Sequence, residues 1–214
     1  MKKPLLQISK DAIEKALANT TWDLGNQVLY DLCAKHPLHK TPQEIIAKIW
    51  LIGRSYAAAL ERRKNKKSDS IGDLFYEDKI VPKIEKSKID DWFARLKKEP
   101  TPTNAIETHA KLTKLFYTIT KLEKRSLASK YLHFHFKSLF FIYDSRSLAG
   151  IRKVTPRVGK QLPSLSPKVP DKDYANFYWR CLWLQNDLQA QLRHKLSPRQ
   201  IDKVLLYIAD SKKK

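Results

Sequence analysis

The sequence has little glycine, little cysteine, few acidic residues and no long apolar run, and each shortage excludes a class of protein. Only five of the 214 residues are glycine, which disfavours turn-rich β architectures and favours a helical chain. No stretch of eighteen apolar residues occurs, so no membrane-spanning helix is predicted. The N-terminus lacks a long apolar segment followed by a small-residue cleavage site, and the cytoplasm is therefore the predicted location.

The two cysteines, Cys33 and Cys181, lie far apart in apolar helical contexts and are predicted to be buried thiols. The chain has no Walker loop, no GxGxxG, no HExxH and no zinc-spaced Cys/His set. His133 and His135 are two residues apart, which points them to different faces of a helix and makes them a poor metal pair. The sequence thus predicts neither a metal site nor a bound cofactor.

Basic residues greatly outnumber acidic ones. There are 42 Lys and Arg against 22 Asp and Glu, which gives a formal net charge of +20. An excess of this size favours a polyanion as partner, since every phosphate that is neutralised releases a counterion. Nucleic acid is the predicted partner, although a lysine-rich surface without a specific site would have the same composition.

The apolar spacing predicts an all-α protein that forms a single compact helical domain over residues 1–214 and acts as a monomer. Within it we expect two lobes, roughly 1–64 with 171–214, and 70–160. Segments 62–70, which is charged, and 154–170, which holds four prolines, are predicted to be breaks between helices. Polar residues ahead of apolar-periodic segments are predicted helix caps: Ser9, Thr21, Thr41, Ser126, Asp144 and Ser197. Thr103 and Asp171 are each predicted to begin a helix.

The stretch 126–147 is the most apolar and aromatic run of the chain, and it ends near Asp144, the sole acidic residue between Glu123 and Asp171. Residues 137–143 are predicted to be an extended buried link, followed by a helix that begins at Asp144. A lone carboxylate in basic, aromatic surroundings either caps a helix or carries chemistry, and one residue can do both.

The segment Leu127-Ala128-Ser129, followed by an apolar helix and then by Ile142-Tyr143-Asp144-Ser-Arg, resembles the helix-loop-aspartate segment of the helix-hairpin-helix DNA glycosylases. Within that superfamily it is similar to the 8-oxoguanine branch, over about thirty residues. The resemblance implies a glycosylase-like bundle of two packed helical lobes. The chain departs from the family in two places: residues 122–126 contain no glycine for the hairpin turn, and no lysine precedes Ala128 at the position of the family's lyase nucleophile.

If the resemblance holds, the chain is a monofunctional glycosylase that flips and excises a damaged or modified base from duplex DNA. Asp144 would then stabilise the positive charge on the deoxyribose and activate a water. A base in foreign DNA would suit such a stand-alone enzyme. Candidates to line the base pocket are Trp22, Asn26, Tyr30, Trp50, Tyr56, His133 and Tyr143. Candidates to hold the DNA backbone are Lys124, Arg125, Ser126, Ser129, Lys130, Ser145, Arg146 and Arg152.

Two other interpretations remain open. The chain could be a non-catalytic helix-hairpin-helix module that binds DNA, which the missing glycine turn and lysine favour. It could also be a basic nucleic-acid-binding subunit of a larger complex, bound to RNA, in which Asp144 only caps a helix.

Overall fold

A computed structural model of the chain describes residues 7–63, 74–156 and 169–211. These residues form α-helices and no strand, which confirms the all-α class. The helices are α1 (Lys10–Leu17), α2 (Asp23–Lys35), α3 (Pro42–Ser55), α4 (Val81–Glu85), α5 (Ile89–Lys98), α6 (Pro102–Thr120), α7 (Arg125–His135), α8 (Ser145–Val154), α9 (Lys172–Leu192) and α10 (Pro198–Asp210). A 3-10 turn at Leu60–Arg63 and a π turn at Tyr76–Ile80 lie between α3 and α4.

Four of the predicted caps are confirmed, because their side chains accept a hydrogen bond from the first turn of the helix that follows: Ser9, Thr41, Asp144 and Ser197. Asp171 caps α9, whereas α6 is capped by Thr101 and begins before the predicted Thr103. The other two predicted caps were wrong. Helix α2 begins after Trp22 rather than Thr21, and α7 begins after Lys124, so that Ser126 lies inside α7 and not at its start. Neither helix has a side-chain cap at these positions.

Helix α7 lies at the centre of the core. Every residue from Leu127 to Phe134 is buried, including the polar ones, and α2, α3 and α6 pack around the helix. Residues 136–144 after α7 are non-helical, and Phe140, Phe141 and Ile142 are buried there, as predicted. The predicted buried link over 137–143 was wrong at its start, because Lys137 and Ser138 lie in an exposed turn. The most apolar part of the sequence therefore lies in the interior of the molecule, and Asp144 follows directly after it at the start of α8.

Helices α6 and α7 form a hairpin without glycine. Lys121 ends α6 with φ 59°, in the left-handed region where glycine is the favoured residue. The turn is completed by Thr120, whose hydroxyl accepts from the Leu122 amide at 3.2 Å. The connection between α6 and α7 is thus a short turn with a lysine in the left-handed conformation.

Helix α8 makes its most extensive contact with α10, and Gly150 makes the close approach possible. A Cβ atom on Gly150 would lie 2.2 Å from the Leu205 carbonyl oxygen, which is far inside contact distance. Because α10 also packs against α1, the C-terminal helix connects the first helix with α8. The helices assigned to the two predicted lobes therefore touch, and the division into lobes stays a prediction.

Both cysteines are buried free thiols, as predicted. Of the predicted breaks, residues 64–70 and 157–168 lie outside the described residues. Among the helices that the structure describes, none has the length and apolarity needed to cross a bilayer.

Candidate active site

Asp144 is held at the start of α8 by a reciprocal capping arrangement. Its Oδ1 accepts from the backbone amides of Arg146 at 3.0 Å and Ser147 at 2.9 Å, while the Ser147 hydroxyl accepts from the Asp144 amide at 2.9 Å. Its side chain is 25 % exposed, so the carboxylate keeps an accessible edge. Asp144 is therefore a helix cap and also a fixed, partly accessible negative charge.

The other carboxylate oxygen of Asp144 faces Lys130. The Lys130 ammonium lies 3.2 Å from Oδ2, donates to the Ser126 hydroxyl at 2.8 Å and lies 5.4 Å from the centre of the Tyr56 ring. Burial alone would raise the pKa of Asp144, but Lys130 and the bonds from Ser147 outweigh it and hold that pKa below its usual value. Asp144 is consequently ionised at neutral pH.

Two hydrogen-bonded pairs pack against the Phe134 ring, and one of them also meets Lys130 through Tyr56. The Tyr56 hydroxyl donates to Oδ1 of Asn26 at 2.6 Å, and the Tyr30 hydroxyl lies 2.5 Å from Nε2 of His133. Nδ1 of His133 is 2.7 Å from the Phe140 carbonyl oxygen, which can only accept, so Nδ1 carries the proton and Nε2 accepts from Tyr30. Burial lowers the pKa of His133 to about 4 and keeps the ring neutral.

A second, more deeply buried carboxyl group completes the cluster. Asp202 of α10 is 3 % exposed, and its Oδ2 lies 2.5 Å from Nη1 of Arg199, one helical turn before it. Burial raises the pKa of Asp202 to about 6, although the charge of Arg199 lowers it. The negative charge of Asp144 also raises this pKa, and the positive charge of Lys130 lowers it. We call the whole group the Asp144 cluster; it consists of Asn26, Tyr30, Tyr56, Lys130, His133, Asp144, Arg199 and Asp202.

Four of the seven predicted pocket residues belong to this cluster, namely Asn26, Tyr30, Tyr56 and His133. The other three lie elsewhere. Trp22 is 77 % exposed at the start of α2, and Trp50 is partly buried under the Arg54 guanidinium, 5.2 Å from the ring centre. Tyr143 precedes Asp144 but turns its ring towards α9, where it packs edge-on against Phe177 at 5.3 Å.

The predicted backbone-binding residues divide into internal and surface groups. Lys130 and Ser129 are buried, and Ser126 accepts from Lys130, so these three support Asp144 from inside. Lys130 has no surface left for a phosphate. Of the remainder, Lys124 donates to the Ala59 carbonyl oxygen, Arg125 pairs with Asp171 and Arg146 pairs with Asp210. Ser145 and Arg152 are exposed.

Arg199 and Asp202 were missed as site residues by the sequence reasoning. One signal was present: Asp202 lies between Ile201 and Val204 on the helix that Ser197 and Pro198 begin, so a charge is placed beside an apolar face. Such a carboxyl needs a partner when it is buried, and Arg199 at i−3 is the nearest candidate along the helix.

Two surface grooves are well defined, and neither is lined by the Asp144 cluster. The larger, of about 580 Å³, lies along α6 and the start of α9 and includes Lys114, Arg125 and Asp171. The other, of about 530 Å³, lies beside Trp183 of α9. Within the described ranges, no three His, Cys, Asp or Glu residues are grouped so that they could hold a metal ion.

Comparison of the chain with protein-family models, with curated proteins and with solved structures found no match. The chemistry of the Asp144 cluster therefore rests on its own residues.

Proposed function

We propose that the protein is a monofunctional DNA glycosylase that excises an everted base from duplex DNA with Asp144 as its catalytic carboxylate. The observation that carries the proposal is the fixed, ionised Asp144 carboxylate beside a buried cluster of aromatic and polar groups. The net charge of +20 supports the proposal as well, because it favours a polyanion such as DNA as the partner.

The reaction breaks the bond between C1′ and the base nitrogen. The electron pair of that bond leaves with the base, and positive charge develops on the deoxyribose. The Asp144 carboxylate stabilises this charge and orients a water, whose oxygen bonds to C1′ and keeps one hydrogen as the new hydroxyl while its other proton goes to the departing base. The products are a free base and an abasic sugar.

Lys130 is a positioning residue in this scheme. Its ammonium fixes Oδ2 of Asp144 at 3.2 Å and keeps the carboxylate ionised. Because Lys130 is the ion-pair partner of Asp144, the proposal assigns no Schiff-base step to it, and strand cleavage is not expected to accompany base release.

The test is base release from a panel of duplexes that each carry one modified base. Asp144→Asn is the informative variant, because Asn also caps helices well and so α8 is preserved while the charge is lost. Wild type should release free base, and the variant should bind the same duplex with unchanged affinity and release base at least about a hundredfold more slowly. Asp187→Asn, which changes a carboxylate on α9 that bonds only Gln191 among the described residues, is the matched control.

Borohydride trapping tests the monofunctional part separately. If wild type forms a trapped covalent protein–DNA product and Lys130→Gln does not, Lys130 attacks C1′ and the mechanism through water is wrong. No trapped product, with base release intact, supports the mechanism through water.

A non-catalytic DNA-binding module is the second candidate, and one observation favours it. Both Asp144 oxygens already have partners, namely the α8 amides and Lys130, so the carboxylate is satisfied without any substrate. Tight duplex binding without release of any base would establish this reading.

A further inference from the structure

Three polar atoms in the Asp144 cluster are buried without a hydrogen-bond partner in the described structure. They are Nδ2 of Asn26, Nε of Arg199 and Oδ1 of Asp202. Each unpartnered buried group costs about 1 to 3 kcal/mol, so three of them in one place indicate a site built for a ligand that supplies the partners.

Asn26 lies on α2, Arg199 and Asp202 lie on α10, and the two helices are joined by Lys203, which donates to Asp23 at 3.0 Å. Arg199 is bonded to Asp202, and Asn26 is bonded to Tyr56. Asn26 is one turn from Asp23, and Arg199 is one turn from Lys203, so the Asn26 amide and the Arg199–Asp202 pair lie on neighbouring turns of α2 and α10. Burial raises the pKa of Tyr56, which bonds Asn26, and the charges of Arg199 and Asp202 act on that pKa in opposite directions.

The existing bonds determine what each free atom can offer. Asn26 accepts from Tyr56 through Oδ1, so its free Nδ2 is a donor. Arg199 donates to Asp202 through Nη1, so its free Nε is a second donor, and Oδ1 of an ionised Asp202 is an acceptor. The site therefore presents two donors and one acceptor.

Nucleobases differ in how they complement such a set. The Watson–Crick edges of cytosine, uracil and thymine each present two acceptors and one donor. Guanine presents one acceptor and two donors, and adenine presents one of each. An enzyme that flips a base reads this edge, and only the pyrimidines match two donors and one acceptor in number.

We propose that Asn26, Arg199 and Asp202 bind the Watson–Crick edge of the everted base, and that this base is a pyrimidine or a modified pyrimidine. The inference rests on the proposed function and adds its substrate class. Since the three atoms are enclosed, neighbouring side chains must move as the base enters, and Arg199, whose side chain is 20 % exposed, lies nearest the surface.

Asp202 must be ionised to act as an acceptor. Its pKa of about 6 gives that state at pH 7.5, and protonation at lower pH turns Oδ1 into a donor that no longer matches. The preference for pyrimidines should therefore weaken as pH falls through about 6. The charged and titratable groups that face Asp202 from all neighbouring elements are Tyr30, Tyr56, Lys130, Asp144, Cys181 and Arg199.

The experiment measures binding with cleavage blocked. Duplexes carry one 2′-fluoroarabino nucleotide, which resists loss of its base, placed opposite an abasic analogue so that every base is equally unpaired. The base is cytosine, uracil, thymine, guanine or adenine. Wild type, Asn26→Asp, Asp202→Asn and the control Asp187→Asn are compared for Kd at pH 7.5, after circular dichroism has established that each is folded.

Wild type and the control should bind each pyrimidine duplex at least about tenfold more tightly than either purine duplex. Asn26→Asp exchanges one donor for an acceptor, so its preference should move towards guanine. Asp202→Asn places a third donor in the site and should lose the pyrimidine preference. Equal affinity of wild type for all five bases, or the wild-type order in both folded variants, would overturn the inference. If Asp202→Asn fails to fold, the Asn26→Asp result decides.

The two proposals fail separately. If the protein releases base from cleavable duplexes but shows no preference for pyrimidines, the glycosylase proposal is supported. The proposed role of Asn26, Arg199 and Asp202 is then wrong. A pyrimidine preference in binding, with no release of any base, would do the reverse.

Discussion

Asp144 and Lys130 form the pair on which the site depends at the scale of single residues. Asp144 caps α8 with one oxygen and meets Lys130 with the other, and Lys130 is 2 % exposed. A buried ammonium is stable only with a partner, so the pair fixes both side chains. The same contact that keeps Asp144 ionised therefore also stabilises the fold.

Lys130→Gln should lower the free energy of unfolding at pH 7 by roughly 1 to 3 kcal/mol, since Asp144 loses a charged partner. The pKa of Asp144 is lower in the folded than in the unfolded state, so its ionisation stabilises the fold above the unfolded pKa and this contribution is lost as pH falls through the folded pKa. Denaturant titrations from pH 7 to pH 3 should thus show a smaller loss for the variant than for wild type.

Lys114→Gln, an exposed lysine of α6, is the control and should follow the wild-type curve. Parallel pH curves for wild type and Lys130→Gln would contradict the assigned role of Lys130.

At the scale of elements, the α6–α7 hairpin and the α8–α10 contact position the cluster. The hairpin carries the left-handed Lys121, and the helix contact depends on Gly150. The hairpin requires a left-handed backbone at Lys121, and the helix contact requires a residue without a Cβ at position 150. Each requirement can be tested by a single substitution.

Lys121→Gly should stabilise the protein by about 1 kcal/mol, because glycine adopts φ 59° without the clash that a Cβ creates. Lys114→Gly provides the contrast within the same helix, since its backbone is helical and the change should destabilise by about 1 kcal/mol. Thermal unfolding measures both. Destabilisation by Lys121→Gly would show that the left-handed turn is not strained.

Gly150→Ala should destabilise the protein by several kcal/mol or prevent folding, because its Cβ would meet the α10 backbone at 2.2 Å. Gly25→Ala is the matched control, since nothing lies within 4 Å of a Cβ at that helical position. That variant should be neutral or slightly stabilising. Similar melting temperatures for the two variants would mean that α8 and α10 do not pack this closely.

At the scale of the whole molecule, the charge of +20 predicts that binding of the proposed DNA partner depends strongly on salt. Lys124, Arg125 and Arg146 already have partners within the protein. Arg152 of α8 is exposed and lies on the helix that Asp144 begins. A phosphate that lies near Asp144 would be within reach of this helix.

Duplex affinity should fall at least about tenfold between 50 and 200 mM salt, and Arg152→Gln should reduce the slope of log K against log salt by about one. Lys15→Gln on α1, where Lys15 pairs with Asp11, should leave the slope unchanged. Affinity for RNA well above that for duplex DNA would instead favour the basic subunit of a larger complex.

The sequence predicted what local chemistry determines. Helix caps such as Thr41 and Ser197, the burial of residues 140–142 before Asp144 and the buried thiols follow from residue type and spacing. It did not reveal that Lys130 is internal, because a lysine in a helix is usually solvated and only the meeting of α3, α7 and α8 buries it.

The sequence also could not predict that α10 contributes Arg199 and Asp202 to the Asp144 cluster. Arg199 and Asp202 are distant from Asp144 along the chain, and they are buried only when α10 packs against the rest of the molecule, including α8 at Gly150. Contacts of this range depend on packing geometry and not on local propensity.

Single-turnover release of free base by wild type and Asp144→Asn tests the central claim most directly, with duplex binding measured on the same samples. The account predicts release by wild type from at least one modified duplex, and a rate at least about a hundredfold lower in the variant at equal duplex affinity. Equal rates in the two proteins, or no release by wild type from any duplex tested, would contradict it.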